Sequence, residues 1–341
     1  MISLTRFLLA ISVVIFHLHK PVIVPSPSAY VSVLLFYFIS GFIMQKAVQN
    51  YVGKNYRLRF IGNRVLRLFP LLLIFNFLGL LGKEPIYNSI IYTSNVGNFS
   101  KLTEAGQPKI FLTGLVTGCV PGWSIMIELL FYLFLVFKSK KFWEDILLVV
   151  NLIVIGQGIY IGGFNGFEYV YSNFFGTCMF FILGMKLSRF MDSEQSISLR
   201  FNFTAIHFTF LIILIAMPYV YRFDLDELLA IGILISIGLT LLSLAIVAGG
   251  NSKSAPSSKN RFFEYLGSLS FPLYICHTYW IDSSFYYEIE PKISSRMSVV
   301  GGKIWAELFA IIVALMISHV LLVIVVRPID RVRIRIKQVK K

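Results

Sequence analysis

The chain has 341 residues, 57% hydrophobic and only 14% charged, with 31 Lys and Arg against 17 Asp and Glu for a net charge of +14. A mean hydropathy of +0.76 excludes an ordinary soluble domain. Length alone allows two domains, but ten apolar segments of about 20 residues would use roughly 200 positions and leave no gap for a second globular unit. Residues 1–341 are therefore read as a single all-α polytopic membrane domain.

Taken in order, helices are expected near 4–19, 29–48, 65–82, 119–137, 143–162, 170–187, 203–221, 228–248, 264–282 and 302–326, about ten transmembrane segments with both termini on one side. That side receives 23 of the 31 basic residues and the other side eight, so the positive-inside rule makes both termini cytoplasmic. The basicity follows membrane side, and no nucleic-acid partner is expected. No small-x-small site follows Phe16, which reads the first segment as a retained helix rather than a cleaved signal. Cys119, Cys178 and Cys276 have no CxxC spacing, so neither a disulfide framework nor a metal site is expected.

The first segment carries Arg6 and His17, eleven positions apart. On a helix that is three turns plus roughly 20°, one face, about 16 Å apart along the axis. Such a pair is costly in lipid unless it faces a bundle interior or a watery cavity, which makes it a functional-site hypothesis. The second segment places Ser40-Gly41 in mid-membrane, where another backbone or a thin ligand can approach. Before the third, Arg57, Arg59, Arg64 and Arg67 crowd eleven residues, with Arg64 and Arg67 neighbours at i,i+3. Positive-inside anchoring accounts for some of these; the choice of arginine, whose planar fork suits phosphate oxygens, points to an anionic ligand.

The fourth segment carries Trp123, Ser124 and Glu128. A buried carboxylate must be neutral or find a partner elsewhere in the bundle, which leaves a structural hydrogen bond or a functional role for Glu128. The ninth ends at Tyr274 and His277, and Arg327-Pro328 closes the tenth before a basic cytoplasmic tail, 327–341, suited to anionic membrane lipid. His207 and His319 are read as structural. The depth estimate puts His17, Glu128 and His277 in the outer third and Arg6, Arg64 and Arg67 at the inner boundary.

Two such layers suit an anionic donor held in the cytosol whose reactive end reaches outward, the shape of an acyl-CoA thioester. Transfer to an alcohol needs a base and donors for the tetrahedral oxyanion. His17 is the candidate base and Glu128 a candidate orienter of it. A covalent acyl-histidine is not distinguished from direct transfer.

The chain resembles the bacterial acyltransferase-3 family of membrane O-acyltransferases. The likeness rests on Arg6-x10-His17, Phe38-Ile-Ser-Gly-Phe42, Arg64-x-x-Arg67-x-x-Pro70, Trp123-Ser124-x-x-x-Glu128-x-x-Phe131-Tyr132, Leu266-Gly-x-x-Ser270 leading to Tyr274-x-x-His277, and Arg327-Pro328. The resemblance implies ten helices, a bacterial cytoplasmic membrane, and acyl-CoA, usually acetyl-CoA, as donor substrate with no bound cofactor. It implies an acceptor hydroxyl on a cell-surface or exported glycan or lipid-linked sugar. It also makes the histidine matching His17 catalytic and the arginines matching Arg6, Arg64 and Arg67 donor-binding; Ser40, Gly41, Trp123, Ser124, Tyr274, His277 and Arg327 are further site candidates within its motifs.

The chain departs from the family pattern at Thr5 and Leu8-Leu9, where an acidic residue and a glycine are common, and at Asn63, where an arginine is common. With no fused esterase-like domain in these 341 residues, either this chain acts alone or a separate extracytoplasmic protein receives the acyl group. A transporter or glycan flippase is the alternative from another class, but internal repeats and a single midplane site are not evident.

Overall fold

A computed structural model describes residues 2–18, 28–51, 53, 55–81, 122–137, 142–161, 169–171, 173–192, 258–281, 291–293 and 299–338. Among the described residues the elements are helices and none is a strand. The main ones are α1 (Ile2–His17), α2 (Ser28–Gln49), α3 (Tyr56–Leu81), α4 (Gly122–Phe137), α5 (Phe142–Ile161), α6 (Phe174–Asp192), α7 (Ser258–Ile281), α8 (Val299–Leu321), a π-helical turn (Leu322–Val326) and α9 (Arg327–Gln338). The segments expected at 203–221 and 228–248, and the stretch 83–118, lie outside the described residues.

Two boundaries correct the sequence reading. Helix α3 starts at Tyr56 rather than near 65 and carries Pro70 inside it; the added turns are rich in arginine, a good helix former, which lets the helix continue backwards past the apolar span. All four arginines from Arg57 to Arg67 are thus helical. At the other end, Arg327-Pro328 does not close the helix. The Arg327 N–H bonds to the Leu322 carbonyl, five residues back, and the chain continues as α9. The wide turn sits just ahead of Pro328, whose ring would otherwise press on the carbonyl four residues earlier.

Helices α1 and α7 run parallel, with Ser3 against Gly267 at one end and His17 against His277 at the other. Helices α2 and α4 are also parallel, joined by Tyr37 to Ser124 and Ser40 to Glu128. Helix α3 runs antiparallel to α4, through Arg57 over Phe137 and Phe60 against Tyr132. Helix α8 runs antiparallel to α7, from Tyr265 with His319 to Trp280 with Phe309. Phe38, Phe60, Phe131 and Phe181 are fully buried at the centre, and Phe131 stacks on Phe181 with centroids 4.7 Å apart. Helix α2 crosses α6 where Gly41 meets the Phe181 carbonyl and Gly184 meets the Phe38 carbonyl.

The outside of α8 is apolar in a continuous strip: Trp305, Ile312, Met316, Val320 and, in the π turn, Ile324 are all exposed. Water would penalise that strip; acyl chains would not. The stretches Val31–Gln49 and Ile304–Ile336 are long and apolar enough to cross a membrane, and Ile2–His17 and Ser124–Phe137 are apolar but shorter.

Candidate active site

Helices α1, α2, α3, α4 and α7 surround a cavity that is partly open to the outside. Arg6 of α1, Ser40 and Met44 of α2, Arg67 of α3, Glu128 and Tyr132 of α4 and Ser270 of α7 line one part; Val33, Phe36, Ser124 and Tyr274 line another.

The arginines come from two helices. Arg6 lies in the Coulombic field of Arg67, Glu128, Tyr132 and Arg64. Arg67 reaches the cavity wall. Arg64, only 7% exposed, places its guanidinium 5.2 Å from the centre of the Phe60 ring, and its Nε has no hydrogen-bond partner among the described residues. A buried donor without a partner is expensive, so this nitrogen is available to an acceptor.

Glu128 does not sit where the depth estimate put it. Its Oε1 accepts hydrogen bonds from Ser40 Oγ at 2.6 Å and from the Tyr132 hydroxyl, and Ser40 and Tyr132 are themselves 3.0 Å apart. The carboxylate therefore belongs with the arginines. The α4 residue at the histidine end is Ser124, one helical turn earlier, about 6 Å away along the axis.

At the histidine end, Ser124 Oγ and the Tyr274 hydroxyl are 2.6 Å apart. The Tyr274 ring lies 5.9 Å from that of His277, which lies 5.0 Å from that of His17. His277 is 1% exposed. Its Nδ1 is 3.3 Å from the Leu273 carbonyl, and a carbonyl only accepts, so we assign the ring proton to Nδ1. That leaves His277 Nε2 as a buried acceptor with no partner among the described residues.

A family model described as an acyltransferase domain matches residues 2–326, nearly the whole chain. The chain belongs to the acyltransferase-3 family. No curated protein and no solved structure matches it.

In this acyltransferase, a membrane protein, the other candidates divide. Ser40 faces the cavity, whereas Gly41 faces the α6 backbone and serves packing. Arg327 is exposed at the start of α9 and does not line the cavity. Trp123 is in α4, with its side chain outside the described residues. Three residues were missed. Tyr132 stands in the Trp123-to-Tyr132 motif but was not taken as a site candidate, although it lies at i+4 from Glu128 on one helix face. Tyr37, whose hydroxyl donates to the Ser124 carbonyl, and Arg333, which bonds to Asn63 across 270 residues, have no local signal. The departure at Asn63 thus coincides with an arginine delivered from elsewhere in the chain.

Proposed function

We propose that this acyltransferase moves an acyl group, acetyl in the simplest case, from a cytoplasmic acyl-CoA to a hydroxyl of a cell-surface or exported glycan. It works in a bacterial cytoplasmic membrane that the chain crosses about ten times, with both termini inside. The observation that carries this reading is one cavity with Arg6 and Arg67 in its wall at one end and Tyr274 leading to His277 and His17 at the other. An acyl-CoA matches that arrangement, with phosphates for the arginine forks and a long thin arm bearing the thioester.

His17 takes the proton of the acceptor hydroxyl while its oxygen bonds to the thioester carbonyl carbon. His277, with Nε2 as acceptor, receives the N–H of His17 and holds the charged ring in place, as an orienter does for a base. The Tyr274 and Ser124 hydroxyls are the nearby donors for the tetrahedral oxyanion. Collapse breaks the carbon–sulfur bond, and the CoA sulfur takes the proton back from His17.

The test is mass spectrometry of surface glycans from the host with the gene, without it, and with His17→Ala. Loss of the acyl mass increment in both the deletion and the variant is the expected result. Unchanged glycan acylation overturns the reading, and normal chemistry with displaced glycan points to transport.

A further inference from the structure

We infer that Arg333, on α9 and beyond the family-matched region, is a positioning residue for the donor-binding arginines, clamping α3 at the residue next to Arg64. The inference rests on the proposed acyl-CoA reading.

The clamp is reciprocal. Arg333 Nε donates to the Asn63 carbonyl and to Asn63 Oδ1, both at 3.1 Å, and Nη2 donates to Oδ1 at 3.0 Å. Asn63 Nδ2 donates in return to the Arg333 carbonyl at 3.0 Å. Nη1 pairs with Asp330 on the same helix. Asn63 is 3% exposed, so losing Arg333 would strand a buried amide oxygen, the costly way to break a hydrogen bond. The four bonds tie down the turn of α3 that leads into Arg64 and Arg67.

Charge gives the clamp a purpose beyond packing. Arg333 lies in the field of Arg67 and Arg64, as Arg6 does. Four guanidiniums thus share one region with two carboxylates, Glu128 and Asp330. Like charges held together repel, and an anion bound among them relieves that repulsion. A helix that served only to close the bundle could bond to Asn63 with a neutral side chain. This one adds a fourth arginine.

The experiment uses the full-length protein in lipid nanodiscs and acetyl-CoA as the probe, with affinity and melting temperature measured together. Arg333→Gln and Asn63→Leu should each weaken acetyl-CoA binding about tenfold, the size of one lost charge-assisted hydrogen-bond set. The double variant should be no weaker than Arg333→Gln alone, as expected for two halves of one clamp. Arg333→Lys, which keeps the charge without the fork, should fall between wild type and Arg333→Gln. Arg331→Gln, the same charge change at an exposed position of α9, should bind like wild type.

Wild-type affinity in Arg333→Gln overturns the inference, and so does equal weakening by Arg331→Gln, which would make the effect one of overall charge. If Arg333→Gln does not fold, Arg333→Lys decides, and wild-type affinity there overturns it. A wild-type protein that does not bind acetyl-CoA overturns the donor reading itself, and the inference falls with it.

Discussion

His17 and His277 face one another with ring centroids 5.0 Å apart, across the interface where α1 and α7 run in parallel. The acceptor nitrogen of His277 is buried there, and its other nitrogen is occupied by Leu273. Replacing His277 by Phe keeps a ring in the space and removes the acceptor. Acylation in His277→Phe should slow by about a hundredfold, at the lower end of what an acid–base partner contributes, with the KM for acyl-CoA unchanged. Time courses of glycan acylation at saturating donor measure this; a wild-type rate would remove His277 from the mechanism.

Arg6 and Arg67 reach the same cavity from different helices. If they grip phosphate through two parallel bonds each, lysine cannot replace them. Arg67→Lys should raise the KM for acetyl-CoA about tenfold while kcat stays within a factor of about two. A fall in kcat at constant KM would instead place Arg67 at the reacting carbonyl.

Glu128 tests the two levels of the site against each other. Its bonds to Ser40 and Tyr132 place it among the arginines as counter-charge rather than beside His17 as orienter. Glu128→Gln keeps a hydrogen-bonding side chain and removes one negative charge from the region an anionic donor must enter. The KM for acetyl-CoA should fall a few-fold, about 1 kcal/mol or less of relieved repulsion. Loss of kcat by orders of magnitude at unchanged KM would restore Glu128 to the catalytic step.

How much of this was legible follows from how local each signal is. Arg6 and His17 share one helix, so their spacing fixed their face and separation before any tertiary structure was known. Arg64 with Arg67 was readable for the same reason. The level of Glu128 was not legible because its partner Ser40 sits on another helix, 88 residues away, and Ser124, one turn earlier on α4, takes the position facing Tyr274. Arg333 was read as part of a basic tail suited to anionic membrane lipid because Pro328 looked like a stop, and the π turn that carries the helix past it leaves no mark in residue periodicity. Its partner Asn63 lies 270 residues away, beyond any local pattern.

The α2–α6 crossing gives a prediction about stability alone. A Cβ at Gly184 would press on the Phe38 carbonyl and approach the Phe42 nitrogen to 2.9 Å, and both obstacles are backbone that cannot rotate aside. Alanine favours a helix over glycine by about 1 kcal/mol, but overpacking against backbone costs about 1–3 kcal/mol, so the clash wins. Gly184→Ala should lower the melting temperature of the detergent-solubilised protein. Gly156 on α5 has nothing within 4 Å of an added Cβ, so Gly156→Ala meets only the favourable propensity term and should melt at or above the wild-type temperature. Equal melting of the two variants would mean that α2 and α6 do not approach backbone to backbone at this crossing.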